Sequence, residues 1–219
     1  MSTLLIAWDI ETCPFDLDTY TPSQNDRYGQ ELRYRRDRRE DEPEEASSRA
    51  VRSLHPCLGW ICCISAVSGT LSDGPNEPQS WVAAKPDEEA QILEQFWEAI
   101  AGFPDNVVWC TFNGKKFDVP FLELRSLHRG LSPSRSDILN TYPYKHRPHA
   151  DLCLEWPQFY SLDDLCGLFG LESPKDELDG SEVAQAVEDG RLDEVATYAK
   201  GDALATFRCT QAAWPFLDA

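Results

Sequence analysis

The sequence has no apolar run that approaches the roughly 18 residues of a membrane span. Its amino terminus also lacks a basic segment followed by an apolar stretch and a cleavage site. We therefore expect a soluble, cytoplasmic protein with no membrane contact. Its 219 residues are 42% hydrophobic and include seven tryptophans, so they can build one α/β core, and we expect a single domain over 1–219.

The sequence also has no C-x-x-C pair among its eight cysteines. Cys62, Cys63 and Cys110 stand in strand-like runs, where a small buried residue is expected, so we predict reduced thiols. The histidines do not lie at the usual zinc-ligand spacing from a cysteine, which argues against a zinc site. Basic residues are scarce, because 38 acids face 20 lysines and arginines, and the net charge of −18 disfavours a general nucleic-acid-binding protein.

Acidic residues are placed where buried elements end. Asp9 and Glu11 close an apolar run from Leu4 to Trp8, and residues two apart in a strand point to the same side. Two partly buried carboxylates repel each other unless a cation compensates them, and oxygen-only ligands favour Mg²⁺ or Mn²⁺. The alternative interpretation is a strand that ends in acids facing water.

Two further acidic positions lie far along the chain. Asp118 stands at the start of a predicted helix after the turn Asn113-Gly114, where it could also be an ordinary N-terminal cap. Tyr198 and Asp202 are one helical turn apart in a predicted helix from about 192 to 214, so both can project toward one point, although such a pair can also be a surface coincidence.

Taken in chain order, these residues resemble a known family. Asp9-x-Glu11, Asn113-Gly-x-x-Phe117-Asp118-x-Pro-Phe and Tyr198-x-x-x-Asp202 are similar to the three motifs of the DEDD exonucleases in their tyrosine-containing branch. The chain resembles the stand-alone predicted 3′-5′ exonucleases related to the proofreading domain of family B DNA polymerases. The likeness excludes roughly residues 20 to 55, and it departs from the family at Pro174-Lys175-Asp176.

The resemblance implies a two-metal hydrolysis of phosphodiester bonds at the 3′ end of single-stranded DNA or RNA. It implies that Asp9 bridges both cations, that Glu11 and Asp202 complete the site, and that Asp118 holds the second ion through water. Tyr198 is expected to orient the attacking water, because an ordinary pKa near 10 disfavours a general base. Contacts to the terminal nucleotide are expected from Thr12, Asn113 and Phe117, although Phe117 could simply be a core residue. On charge alone, Lys115, Lys116, Arg125 and Lys200 are candidate local contacts to the substrate, and all four could equally be solvated side chains. A protein partner could also supply the substrate.

The predicted fold is ribonuclease H-like: three antiparallel strands near 3–10, 59–68 and 79–84, a helix near 87–101, and a parallel strand at 107–112, flanked by helices. Further helices are predicted from Asp118 to Gly130, from Ser161 to Gly170 and over 181–189, with Pro215 just beyond the last helix.

One segment stays outside this pattern. Residues 23–53 are rich in arginine and then in glutamate, and we expect a mobile surface insertion. Its arginines either grip the phosphates of a substrate strand or neutralise the neighbouring acids in a solvated helix or loop.

Two other functions remain open on the residues alone. One is a non-catalytic ribonuclease H-like module that binds nucleic acid or a partner. The other is a metal-dependent phosphoesterase acting on nucleotides or short oligonucleotides, which the acidity of the chain favours.

Overall fold

The computed structural model describes residues 3–143, 145–155, 160–174 and 178–218. The sequence Lys175-Asp176, where the chain departs from the family pattern, lies outside these ranges. Among the described residues, no helix has both the length and the apolar character needed to cross a membrane.

A mixed sheet forms the centre of the molecule, and over the described residues it has six strands. They are β1 (Leu4–Pro14), β2 (Gly59–Thr70), β3 (Gly74–Pro75), β4 (Gln79–Val82), β5 (Val108–Thr111) and β6 (His149–Asp151). The order along the sheet is β3-β2-β1-β5-β6, and β4 pairs with β2 beside β3. The pairs β1–β2 and β2–β4 are antiparallel, whereas β5 is parallel to β1 and β6 is parallel to β5. This confirms the predicted meander and crossover.

Helices flank this sheet. They are α1 (Pro22–Arg38), α2 (Glu44–Ser53), α3 (Glu89–Ala101), α4 (Asp118–His128), α5 (Leu152–Glu155), α6 (Leu162–Phe169), α7 (Val183–Glu188) and α8 (Leu192–Leu217). Gly130 and Gly170 follow α4 and α6 with φ values of 72° and 68°, which glycine adopts at low cost, as the predicted helix ends require.

Strand β1 separates two hydrophobic cores. Ile6 and Trp8 face the core that contains α3, while Leu5 and Ala7 face the core that contains part of α8. This alternation follows from the two-residue period of a strand, and it explains why β1 is buried on both sides. Asp9 continues the Leu5 and Ala7 side, so the strand delivers its carboxylate to the side where α8 crosses.

The segment 23–53, which we predict to be a mobile surface insertion, is helical over most of its length. It forms helices α1 and α2, which pack against each other around a small core of Tyr20, Val51 and Leu58. Thr21 caps α1 through a reciprocal hydrogen-bond pair with Gln24, which fixes the start of the helix. This core is not visible as a sequence pattern, because its apolar residues are few and widely spaced.

Other features of the fold also differ from the predictions. Pro215 lies inside α8 rather than beyond it. The short strands β3 and β6 were not predicted, because two or three residues are too few to show an alternating pattern.

Candidate active site

Three carboxylates from two distant parts of the chain form a compact cluster. One ligand oxygen from each of Asp9, Glu11 and Asp202 lies within 4.8 Å of the others. Strand β1 supplies the first two and helix α8 supplies the third. The register between β1 and β2 shifts between Glu11 and Thr12, so a bulge interrupts the regular pairing directly beside the cluster.

Asp118 joins this cluster through the backbone of β1. Its Oδ1 accepts a hydrogen bond of 3.1 Å from the amide of Ile10, the residue between the two acids of the strand. Asp118 is also buried at the start of α4, where the helix amides favour a negative charge. The four acids predicted from the motifs therefore meet at one place.

The acids of this cluster are crowded and buried, so their charged forms are costly without a compensating cation. Burial, followed by the charge of Asp118, raises the pKa of Asp9 well above its ordinary value. Burial, followed by the charge of Asp202, does the same for Glu11. Burial raises the pKa of Asp118 to about 7. A hard divalent cation fits this donor set, because it would neutralise the acids and because every ligand atom is a carboxylate oxygen.

Tyr198 lies one helical turn before Asp202 on α8, with which it shares a hydrogen bond. Burial, and then the charge of Glu11, raises the pKa of the Tyr198 phenol above its ordinary value of 10.0. The hydroxyl therefore keeps its proton and can orient a neighbouring group. Removal of a proton from water by a phenolate is disfavoured here.

The loop before Asp118 is held in an unusual conformation. Asn113 has a φ of 64°, a left-handed value that asparagine tolerates better than most residues. At Gly114 a Cβ atom would come within 2.5 Å of the Thr111 Cβ, so any side chain would push the loop away from β5. These two requirements explain the Asn-Gly sequence at this position.

Asp151, at the end of β6, anchors this loop and was missed by sequence reasoning. Its carboxylate accepts the amides of Asn113 and Lys115, each at 2.8 Å, and that of Cys153 at 3.1 Å. A lone acid in the run HADLC gives no motif, because its two partners in this loop lie 38 and 36 residues away. Its position after a short strand would have been the only usable signal.

Thr12 and Phe117, both predicted to contact substrate, open onto one groove. This groove has a volume of about 650 Å³ and runs from Glu11 between helices α2 and α7. We call it the α2–α7 groove. Its wall on α2 includes Ala46, Arg49 and Ala50, and its opposite wall includes Ala184 and Gln185. Phe117 also packs on Phe121, with ring centres 5.4 Å apart.

Two basic residues predicted to contact substrate are engaged elsewhere. The Lys115 ammonium donates to the carbonyl oxygens of Tyr142 and Lys145, both at 2.8 Å, and the residue is only 3% exposed. Arg125 is buried and makes two hydrogen bonds to the Glu89 carboxylate, at 2.8 and 2.7 Å. The predictions for both residues are therefore corrected: Lys115 braces a loop, and Arg125 is part of a buried ion pair. The sequence alone does not show whether a basic side chain is already bound to groups within the fold.

Four arginines, in α1 and at the residue after it, are paired with acids. Arg27 pairs with Glu31, Arg36 with Glu44, and Arg39 with Glu42. Arg35 makes two short hydrogen bonds to Glu42, at 2.6 and 2.7 Å. This pattern favours the self-neutralising interpretation of the segment over a general phosphate grip.

The fold has relatives among solved structures. The family B DNA polymerase of Pyrobaculum calidifontis superposes with a TM-score of 0.64 at 20% identity, over 99% of this chain and 25% of that one. A structure of exonuclease I superposes with a TM-score of 0.51 at 13% identity, over 98% of this chain and 42% of that one. A product-bound structure of exonuclease I superposes with a TM-score of 0.51 at 12% identity, over 99% of this chain and 45% of that one. The chain thus spans less than half the length of each, and these likenesses define a ribonuclease H-like exonuclease fold.

The sequence itself places the chain in a family. Residues 59–209 match the model of predicted 3′-5′ exonucleases related to the exonuclease domain of PolB. The chain therefore belongs to this family of predicted 3′-5′ exonucleases. No curated protein sequence matches it. The matched region begins after α2, so helices α1 and α2 lie outside the family pattern.

Proposed function

We propose that this protein removes nucleotides from the 3′ end of a single-stranded nucleic acid, with DNA favoured over RNA, at the carboxylate cluster. The observation that carries this proposal is the meeting of Asp9, Glu11 and Asp202 within 4.8 Å, with Asp118 tethered to the same strand. Membership of a 3′-5′ exonuclease family supports the same direction of cleavage.

Two divalent cations, Mg²⁺ or Mn²⁺, would supply the charge that activates water and stabilises the leaving 3′ oxygen. Asp9 would hold both ions, and Glu11 and Asp202 would complete the position nearest the attacking water. Asp118, whose Oδ1 already accepts the Ile10 amide, would act on the second ion through its water shell. The close approach of Asp9, Glu11 and Asp202 supports a shared cation site.

The remaining motif residues would position the substrate. The Tyr198 hydroxyl, which keeps its proton, would hold the attacking water in line with the phosphorus atom. Thr12 would offer its backbone amide to the terminal sugar hydroxyl. Phe117 would pack on the same terminal nucleotide, because Thr12 and Phe117 both line the α2–α7 groove. Asn113 would contact the same nucleotide through its side-chain amide.

The test is a cleavage assay on a 5′-labelled single-stranded 20-mer DNA with Mg²⁺ or Mn²⁺, run beside a matched RNA. We expect a ladder of products that shortens from the 3′ end, stronger on DNA, and absent with EDTA or in Asp9→Asn. A ladder on neither strand, with hydrolysis of a mononucleotide ester instead, would replace the exonuclease by a small-substrate phosphoesterase. That alternative draws support from the net charge of −18.

A further inference from the structure

We infer that Arg49, on helix α2, binds a phosphate of the substrate strand other than the one being cleaved. Arg49 lines the α2–α7 groove together with Glu11, Thr12 and Phe117. The groove is therefore continuous with the carboxylate cluster, and a strand whose end lies at Thr12 would extend along it. This inference rests on the proposed function, and it concerns a residue outside the region matched by the family.

The groove offers two cations, and their partners differ. Arg35 is held by Glu42 through two hydrogen bonds, at 2.6 and 2.7 Å, so its charge is already compensated. Arg49 makes one hydrogen bond of 3.1 Å to the neutral amide of Gln185. Its nearest acid, Glu45, is 3.9 Å away and its side chain is 89% exposed, so water screens that contact.

The hydrogen bond between Arg49 and Gln185 also fixes where the guanidinium lies. Arg49 comes from α2 and Gln185 from α7, so the bond crosses from one wall of the groove to the other. Gln185 is in turn held by Asp189, through an Nε2 to Oδ1 hydrogen bond of 3.0 Å. The Arg49 side chain is only 25% exposed, and a guanidinium with its planar set of donors is well suited to a phosphate.

The charge of the whole chain makes a local contact from Arg49 important for binding a nucleic-acid strand. A chain with 38 acids and 20 basic residues repels a polyanion at long range, so binding depends on local contacts. Small residues, Ala46 and Ala50 on α2 and Ala184 on α7, line the groove beside Arg49 and leave room for a strand. We therefore assign the groove to the substrate strand and Arg49 to its phosphate.

The experiment compares two substrates that differ in their phosphates. A single-stranded 20-mer of thymidylate contains many phosphates, whereas the p-nitrophenyl ester of thymidine 5′-phosphate contains only the one that is cleaved. We expect Arg49→Gln to lower kcat/KM for the 20-mer by about tenfold, as loss of a charged hydrogen bond does. The ester should react at the wild-type rate. Arg49→Lys, which keeps the charge, should recover part of the loss.

The matched control is Arg36→Gln, which removes the same charge from α1. Arg36 pairs with Glu44 at 3.3 Å, is 53% exposed and does not line the groove. We expect it to behave as wild type with both substrates.

The salt dependence of binding gives a second measurement. Between 50 and 200 mM KCl, Arg49→Gln should reduce the slope of log affinity against log salt by about 0.7, the value for one phosphate on a single strand.

Two results would overturn the assignment. One is equal kcat/KM for Arg49→Gln and wild type on the 20-mer at 50 mM salt. The other is an equal fall on the 20-mer and on the ester, which would mean that Arg49 supports the catalytic site itself. A 20-mer with a 3′-terminal phosphate distinguishes the position of the phosphate: an equal defect on both strands assigns Arg49 to an internal phosphate, whereas a larger defect on the 3′-phosphate strand means that Arg49 also meets a phosphate at the chain end.

Binding measurements separate this inference from the proposed function. If the wild-type protein cleaves neither substrate, the exonuclease proposal fails, but fluorescence anisotropy of a labelled 20-mer in EDTA still tests Arg49. Weaker binding by Arg49→Gln than by Arg36→Gln would uphold the phosphate contact. Equal binding by the two variants would refute it.

Discussion

The backbone amide of Ile10 donates a hydrogen bond of 3.1 Å to Oδ1 of Asp118, 108 residues further along the chain. This bond connects strand β1 to the first turn of α4 and draws a fourth acid toward Asp9 and Glu11. Asp118 thus has two separable properties: its oxygen accepts the amide, and its charge adds to the cluster.

Two substitutions at Asp118 separate these properties. Asp118→Asn keeps an oxygen that can accept the Ile10 amide, whereas Asp118→Ala leaves that buried amide unpaired. We expect both to reduce kcat by about 10–100-fold, as loss of an outer metal-binding group does. Only Asp118→Ala should also lower the free energy of unfolding, by about 1–3 kcal/mol. Urea titration beside the cleavage assay measures both, and wild-type kcat in Asp118→Asn would remove Asp118 from the site.

The metal-free cluster is expected to cost stability. The folded-state pKa of Asp9 is raised above its ordinary value of 3.8, so the folded protein binds more protons than the unfolded chain as pH rises past that value. Stability is therefore lost with rising pH, and Asp9→Asn should avoid this loss. In EDTA at pH 7 we expect this variant to gain about 0.5–2 kcal/mol over wild type.

Divalent cations should reverse that order. Mn²⁺ at about 100 times its dissociation constant should raise the Tm of wild type by about 5–10 °C. Asp9→Asn should show little change, because it lacks an acid of the cluster. Thermal denaturation followed by circular dichroism, with Ca²⁺ and EDTA in parallel, measures the shift. A wild-type Tm that no divalent cation changes would argue against a metal site.

Asn113 allows a backbone effect to be distinguished from a side-chain effect. Its φ of 64° is left-handed, so Asn113→Ala should destabilise the protein by about 1–2 kcal/mol, whereas Asn113→Gly should cost less. Both variants lose the amide that is proposed to contact the terminal nucleotide. If that contact exists, the two variants should have equally raised KM values despite unequal stability. A KM that rises only in Asn113→Ala would assign the effect to the backbone.

Arg125 should matter for stability and little for substrate. It is 4% exposed and shares the Glu89 carboxylate with Arg129, whose Nε lies 2.8 Å from Oε2. Removing one member of a buried ion pair costs about 3–5 kcal/mol, so Arg125→Ala should show this loss in urea denaturation. Its kcat/KM per folded molecule should equal that of wild type. A selective loss of activity at unchanged stability would restore Arg125 as a substrate contact.

His149 provides a prediction for acid pH. Burial, and then the charge of Lys115, lowers its pKa from 6.5 to about 3. The unfolded chain therefore binds one more proton than the folded protein between these values, and this residue makes stability fall as pH drops below 6.5. In the wild-type protein, His149 should make the free energy of unfolding fall by about 1.4 kcal/mol per pH unit as the pH drops through this range. We expect His149→Gln to lack this contribution, and pH-dependent denaturation of both proteins measures it. Parallel pH profiles of the two proteins would contradict this assignment.

The sequence indicated the main elements because their patterns are long and periodic. Strand β1, helix α3 and helix α8 each bury many apolar residues at regular spacing, and their predicted positions agree with the structure to within a few residues. The helices α1 and α2 could not be placed in the same way, since their small core depends on Tyr20, Val51 and Leu58 meeting across the segment. Local pattern cannot show such a contact.

The sequence by itself determined the chemistry available to this protein: Asp9, Glu11, Asp118, Tyr198 and Asp202, in the order and on the elements that bring oxygen ligands together. Only the tertiary structure decided what each cation contacts. Lys115 and Arg125 stand beside motif residues or on a motif helix, yet both are bound within the fold, whereas Arg49 stands in no motif and lines the groove. The physical reason is that a side chain's charge is set by residue type, but its partners are set by packing between distant segments.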